Sequence, residues 1–231
     1  SNLKQWNLAT DSSCNLCGKI NCTLVHILGA CSFSLKQGRF TYRHDAVLQS
    51  LVSTLETFIK ELVPTKGKIN KVHFIKEGEK PPTDKNNSVG ILHLTSDWVL
   101  LSDLHDSYNF PIQIALTHLR PDIVLFSNKI KRVILIELTC PCEENMSSCM
   151  IKHMPKMNKH TCLANKIKDK NWQGNLFAVE VGARGYAANS LSGCLKRLGL
   201  EKCIIRHTVK PLSHISMESS IYIWLCQNCN Q

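Results

Sequence analysis

Two sets of side chains in this sequence have types and spacings suited to chemistry. The first is Cys14, Cys17, His26 and Cys31, a C-x2-C-x8-H-x4-C pattern. Three thiolates and one imidazole form a tetrahedral donor set that suits zinc. The C-x2-C spacing lets one tight turn, eased here by Gly18, offer two sulfurs to one ion. With every position filled by protein, such a site is structural rather than catalytic. Cys22 lies between these residues and could replace one ligand. The second set is Asp122 and Glu137. Asp122 opens one apolar run and Glu137 closes the next, with fourteen residues between them. If the two runs pair as a hairpin, the start of one lies beside the end of the other. Two carboxylates then converge at one end of a sheet. With the Leu138 carbonyl they could hold a hard divalent cation, magnesium above all. Magnesium there could activate water and stabilise charge building on a phosphate. On spacing alone, the alternative is a pair of ordinary strand-end carboxylates.

Phosphate chemistry also needs cations. Lys152, Lys156 and Lys159 fall at i, i+4 and i+7, one face of a helix. Lys166, Lys168 and Lys170 continue the positive charge, opposed by Asp169; most of these lysines suit a solvated face. Arg120, Arg43 and Arg184 are weaker candidates for phosphate contact. Glu180 is either a further acid near the site or a strand-end carboxylate. His44 and Asp45 read as the cap and start of a long helix. A second pair, Cys226 and Cys229, stands alone near the C-terminus and leaves a half-site, a redox pair and chance all open.

These residues need elements to position them. From His44 to Val63, Val47, Leu48, Leu51, Val52, Leu55, Phe58, Ile59 and Leu62 recur at helical spacing, which predicts a helix with one buried face, stopped by Pro64. Residues 65–90 are rich in Lys, Gly and Pro, with Val72 to Ile75 as a short strand inside them and Gly78 to Ser88 as an exposed loop. Trp98 to Leu101, Leu119 to Phe126 and Val133 to Leu138 predict strands. Asn128-Lys129 suits the turn of a hairpin. Asn145 to Lys170 predicts a basic helix that Pro155 kinks or restarts. Leu176 to Val181 is a further strand and Ser190 to Leu198 a short helix. The tail from Leu212 carries no clear pattern. The expected order of helix, three strands, helix, strand and helix makes one mixed α/β domain with a small N-terminal attachment. Removing zinc is then expected to loosen residues 10–35 and spare the rest.

Composition sets the frame. The chain has 231 residues, enough for a real core. Apolar residues make up 43% and charged residues 20%, which excludes a disordered tail, a collagen-like repeat and a simple coiled coil. No run of about 18 uncharged apolar residues predicts a membrane span. A first residue of Ser1 reads as a piece of a longer polypeptide. The net charge of +10 raises attraction to polyanions. Twelve cysteines without a secretory signal fit a metal site or free thiols better than disulfides.

The ordered motifs carry a resemblance. Asp122 with Glu137 resembles the PD-(D/E)XK restriction-like nuclease motif. More widely, the chain resembles the C-terminal region of non-LTR retrotransposon polyproteins that use a restriction-like endonuclease. There a CCHC zinc knuckle follows the reverse transcriptase, and an (Arg/Lys)-Pro-Asp segment and a second acid come next. The matching residues are Cys14, Cys17, His26 and Cys31, then Arg120-Pro121-Asp122 with Glu137. Gly38-Arg39-Phe-Thr-Tyr-Arg43-His44-Asp45, Ser96-Asp97-Trp98, Glu137-Leu-Thr-Cys-Pro, Lys156-Met-Asn-Lys159 and Val179-Glu180-Val-Gly182 extend the match over nearly the whole chain.

The resemblance implies a knuckle over residues 1–35 and an αβββαβ nuclease core over 36–231. It implies structural zinc, catalytic magnesium, and nicking of target DNA so that the 3′-hydroxyl primes reverse transcription. It also implies a linked reverse transcriptase, DNA and element RNA as partners, no membrane, and a nuclear site of action. The chain departs from the generic motif at Thr139, where a Lys is usual. The family moves that lysine to the following helix, which makes Lys156 or Lys159 the surrogate and Lys152 the third choice. Two other readings stand beside this one: a catalytically inactive or domesticated nucleic-acid-binding module, and a zinc-organised protein-interaction domain.

Overall fold

The structure, a computed structural model, describes residues 13–62, 90–104, 108–145 and 162–226. The expected strand at Val72 to Ile75, the loop at Gly78 to Ser88, and Lys152, Pro155, Lys156 and Lys159 lie outside the described residues, as does Cys229.

A short π-helical turn, His26–Ala30, leads into α1, Ser32–Lys36. Gly38 then takes a left-handed φ of +69°, a region glycine enters without a Cβ penalty, and α2 runs from Arg39 to Glu61. The helix begins five residues before the predicted start. Its buried stripe of Val47, Leu48, Leu51, Val52 and Leu55 is the predicted one. Arg43 extends that stripe toward the N-terminal residues, so the helix gains an extra turn that apolar periodicity does not reveal.

The sheet has four strands in the order β1-β2-β3-β4: β1 Val99–Ser102, β2 Ile123–Ser127, β3 Arg132–Thr139 and β4 Gln173–Glu180. The first three are antiparallel neighbours, and β3 and β4 run parallel. A parallel pair needs a crossover. This one contains helix α3, residues 162–169. β2 is buried at every position and β3 at six of eight, which is why both read as continuous apolar runs. Alternate side chains serve different layers. Ile123, Leu125, Ile134, Ile136 and Leu138 pack with α2, with α4 (Asn189–Leu198) and with Leu212. Val124, Phe126, Val133 and Leu135 pack with Leu163 and Ile167 of α3 and with Phe110, Ile114 and Trp172. The result is a mixed sheet between two helical layers.

The chain closes with α5, Lys202–Leu225, which packs along α2. The sequence gives this helix little signal for two reasons. Pro211 lies inside it, and its buried face is Thr208, Leu212, Ser216, Ser219, Ser220 and Ile223, mostly small hydroxyl residues. Those hydroxyls meet polar partners: Ser216 Oγ donates to the Gly182 carbonyl at 2.8 Å, and Ser220 Oγ accepts from Arg43 Nη1 at 3.1 Å. No helix among the described residues is long and apolar enough to cross a membrane.

Asp97 ties the approach to β1 onto the β2–β3 hairpin. Its Oδ1 accepts from Thr95 Oγ1 and, at 2.7 Å, from Ser127 Oγ, while Oδ2 accepts from the Lys129 N–H at 3.0 Å. Burial pushes the carboxyl up, but these donors outweigh it and hold it at about 2. A depressed carboxylate stabilises the fold above its ordinary pKa, and the contribution is lost as pH falls through about 2. Asp97→Ala is therefore expected to cost about 1–3 kcal/mol at neutral pH. The deficit should shrink toward pH 2, as urea unfolding at both pH values would show. An equal deficit at both would rule out the ionised form as the source.

Candidate metal centres

The N-terminal centre is assembled by three short pieces of backbone. Cys14 and Cys17 sit on a turn in which the Gly18 N–H donates to the Cys14 carbonyl at 2.8 Å and the Cys14 N–H to the Lys19 carbonyl at 2.9 Å. Gly18 holds φ at +72° there. His26 comes from the π-helical turn, and Cys31 from the N-cap of α1. The donor atoms of Cys14, Cys17, His26 and Cys31 all lie within 4.8 Å of one another. Cys14 Sγ is 3.9 Å from Cys31 Sγ, and Cys17 Sγ is 3.2 Å from His26 Nε2. Tetrahedral zinc with ordinary bond lengths wants about 3.8 Å between sulfurs and about 3.6 Å between sulfur and nitrogen. The residues therefore fit a metal ion and are compatible with zinc.

Two of the four donors are shifted toward the form a ligand must present, whereas at Cys17 the Lys19 amide lowers the thiol but burial and the neighbouring thiols outweigh it and push the thiol up. Burial, then the charge of Lys19, lowers the His26 pKa and favours the neutral ring that a ligand must present. Burial would raise the Cys31 thiol. The Ser34 amide and hydroxyl and the Phe33 amide, all near the start of α1, outweigh it and hold the thiol below its ordinary value. Cys22, the possible replacement, is not in the group. It is buried, and burial pushes its thiol up.

This unit does not hang free. Cys14, Cys22, Ile27, Leu28 and Cys31 share an interior with Cys142, Ala183 and Ile223 of the body. Arg43 is the clamp. It is 2% exposed and donates to the carbonyls of Leu28 (3.0 Å) and Cys140 (2.8 Å) as well as to Ser220 Oγ. Sequence reading offers Arg43 as a phosphate contact, but its guanidinium is enclosed and engaged with protein acceptors.

The acidic centre lies at one end of the sheet. Ile123 pairs with Ile136, so the next positions outward are Asp122 and Glu137. Glu137 continues the alternation of Val133 and Leu135 toward the α3 face, whereas Asp122, one residue before β2, meets His44 of α2. The Leu138 N–H donates to Asp122 Oδ2 at 2.7 Å. Glu137 is 4% exposed. Asp103 adjoins them at the end of β1, its N–H donating to the Asp122 carbonyl at 3.0 Å. Tyr108 faces this acidic end: burial, then the charges of Asp103, Glu137 and Asp122, push its phenol up, and its hydroxyl donates to the Pro121 carbonyl at 2.7 Å. Glu180 sits across from Thr139 at the end of β4, is buried, and accepts from Ser190 Oγ.

Arg120 and Arg184 are exposed but each lies against an acidic partner. Arg120 Nη1 lies 3.5 Å from Asp103 Oδ1 and lines a cleft of about 240 Å³ with Tyr108, Thr117 and His118. Arg184 is held by Glu143, at 3.0 Å through Nε and 2.6 Å through its backbone N–H, and by Glu144 at 3.4 Å. Lys166 and Lys170 donate to the carbonyls of Leu116 and Ile112.

His44 is the residue that sequence reading assigns elsewhere. It lies inside α2 rather than at its start. Its Nε2 is 3.5 Å from Asp122 Oδ2 and its Nδ1 is 2.9 Å from Asp45 Oδ1. Its position three and four residues before Val47 and Leu48 continues the buried stripe, and a titratable group on that stripe is the signal that could have found it. Burial disfavours the charged ring, but Asp122 and Asp45 outweigh burial and raise it to about 9. The imidazolium thus stabilises the fold fully below about pH 6.5, and that contribution is lost as pH rises through about 9. By proton NMR the ring is expected to titrate near 9, and closer to the ordinary histidine value in Asp122→Asn. A parent ring titrating at the ordinary value would remove the ion pair from this description.

Among the described residues, the Cys14, Cys17, His26 and Cys31 group is the one set of three or more His, Cys, Asp or Glu side chains within common metal reach. Asp122 and Glu137 thus offer two carboxylates, and further donors would be carbonyls or water, as magnesium accepts. No family model matches the chain, and no curated protein matches it.

Proposed function

We propose that the chain is a magnesium-dependent DNA endonuclease domain with a structural zinc knuckle. The register that pairs Ile123 with Ile136, the neighbours of Asp122 and Glu137, is the observation that supports this reading. Both residues lie at one end of the sheet, next to the paired Ile123 and Ile136, and the Leu138 amide engages Asp122. The element order of α2, three strands, α3 and β4 supports it, as it matches what the restriction-like resemblance implies.

In this reading Asp122, Glu137 and the Leu138 carbonyl would hold the ion. When bound, magnesium lowers the pKa of a water and offsets charge on the phosphate. The protein orients the rest. Glu137, nearly enclosed, keeps its carboxylate in one place. Lys156 or Lys159, with Lys152 as third choice, steadies the phosphate or the attacking water. Arg120, beside the cleft, adds positive potential for the strand. Zinc at Cys14, Cys17, His26 and Cys31 fixes the N-terminal unit against α5. A nicked DNA end that primes reverse transcription, a linked polymerase, element RNA and a nuclear site of action follow from the same resemblance.

The test is nicking of supercoiled plasmid by the zinc-loaded chain, with and without magnesium. Magnesium-dependent nicking supports the reading. Its absence in folded protein favours a non-catalytic nucleic-acid-binding module. Thr139 at the usual lysine position is the observation on that side.

A further inference from the structure

We propose that Asp45 and His44 form a positioning pair that orients Asp122 for its divalent cation, an inference that rests on the metal-dependent reading above. The contacts form a line. Asp45 Oδ1 lies 2.9 Å from His44 Nδ1, and His44 Nε2 lies 3.5 Å from Asp122 Oδ2. The Leu138 N–H meets that same oxygen at 2.7 Å. Both neighbours of Asp122 thus approach Oδ2, and Oδ1 is the oxygen left for an ion. One neighbour is the backbone of β3, which also carries Glu137. The other is a side chain from a different layer.

The ring is well placed to hold a direction. It projects from α2 one turn before Val47 and Leu48 and two turns before Leu51, all fixed in the core with Ile123 and Ile136. Those two residues flank Asp122 and Glu137 in the chain. The backbone that carries the ring is therefore held against the same strands that carry the acids. Asp45 fixes the opposite ring nitrogen, so the imidazole is engaged at both ends. Its side chain is 24% exposed and that of Asp122 14%, so water competes only weakly for the contact. Partners of this kind, one contact removed from the ion, set the orientation of a metal-binding carboxylate and govern affinity. Neither His44 nor Asp45 is a ligand here. Each acts through Asp122.

Binding of Mn²⁺ to the zinc-loaded full chain, followed by the electron paramagnetic resonance of free Mn²⁺, tests this directly. Asp122→Asn is expected to remove the site. His44→Ala is expected to weaken binding by about 10–100-fold. His44→Gln, which keeps an N–H near the Nε2 position, should recover part of the loss. Asp45→Asn should weaken binding by roughly tenfold; as a half-exposed helix residue it can be changed without unfolding the chain, so it decides the matter if His44→Ala does not fold. In the nicking assay the His44 and Asp45 variants should raise the magnesium concentration at half-maximal rate and leave the KM for DNA unchanged, a split that a general loss of structure would not give. Asp122-dependent Mn²⁺ binding that His44→Ala and Asp45→Asn leave unchanged would overturn the positioning role and keep the metal site. A parent with no Asp122-dependent binding would overturn both.

Discussion

Asp122→Ala and Glu137→Ala are each expected to lower magnesium-dependent nicking by roughly 10³-fold or more, with DNA affinity changed little. A metal ion contributes several kcal/mol of charge stabilisation at a reacting phosphate, and about 1.4 kcal/mol is a tenfold change in rate. Removing one of two protein carboxylates from the ion should forfeit most of that. DNA binding should persist because phosphate attraction comes from the basic surface, and removing an acid lowers local repulsion. The conservative forms Asp122→Asn and Glu137→Gln control for folding. Asp122→Asn keeps an acceptor for the Leu138 N–H, the one backbone bond that Asp122→Ala would break. The measurement is single-turnover nicking beside filter binding at two salt concentrations. Parent-like cutting by both alanine variants would place the chemistry elsewhere in the chain.

The second large effect is metal removal from the N-terminal centre. The sequence alone predicts that chelation loosens residues 10–35 and spares the body. The packing changes that expectation. Cys14 and Cys31 lie in one cluster with Cys142, Ala183 and Ile223, so the unit has no interior of its own. Arg43 binds Leu28 of the unit, Cys140 after β3 and Ser220 of α5 through one guanidinium. If the unit opens, the Leu28 contact is lost and a buried cation keeps fewer acceptors, a fault that costs about 1–3 kcal/mol for a buried donor left unmet. Structural zinc itself contributes on the order of 10 kcal/mol in small domains. Chelation, or Cys31→Ser, is therefore expected to lower the melting temperature of the whole chain. Hydrogen exchange should rise in α5 around Ser216 to Ile223 as well as near Cys14. A body that melts unchanged while the first thirty-odd residues loosen would return the unit to the status of an appendage.

Much of the architecture was legible without tertiary information because it is written in local periodicity. The α2 stripe from Val47 to Leu55 follows from helical spacing, and β2 and β3 from apolar runs broken at Asn128. The C-x2-C-x8-H-x4-C spacing picks the four donors that come together, since a few residues of backbone suffice to gather them. The pairing of Ile123 with Ile136, which leaves Asp122 and Glu137 at one sheet end, follows from a hairpin, a local structure whose register its turn fixes. These conclusions depend on residues close in the chain, and the sequence by itself determines them.

What depends on distant residues was decided only by the folded chain. Arg43 looks like a surface cation until Leu28, Cys140 and Ser220 are brought around it. Arg184 looks available for phosphate until Glu143 and Glu144 close on it. His44 reads as a helix start until α2 is laid across the sheet end that carries Asp122. The helix α5 has no apolar stripe to read because its buried face is satisfied by hydroxyl hydrogen bonds, and such bonds exist only once the partner elements are in place. The physical reason is common to all four. Apolar burial leaves a periodic mark along the sequence, whereas the meaning of a polar side chain is set by which distant donor or acceptor it meets.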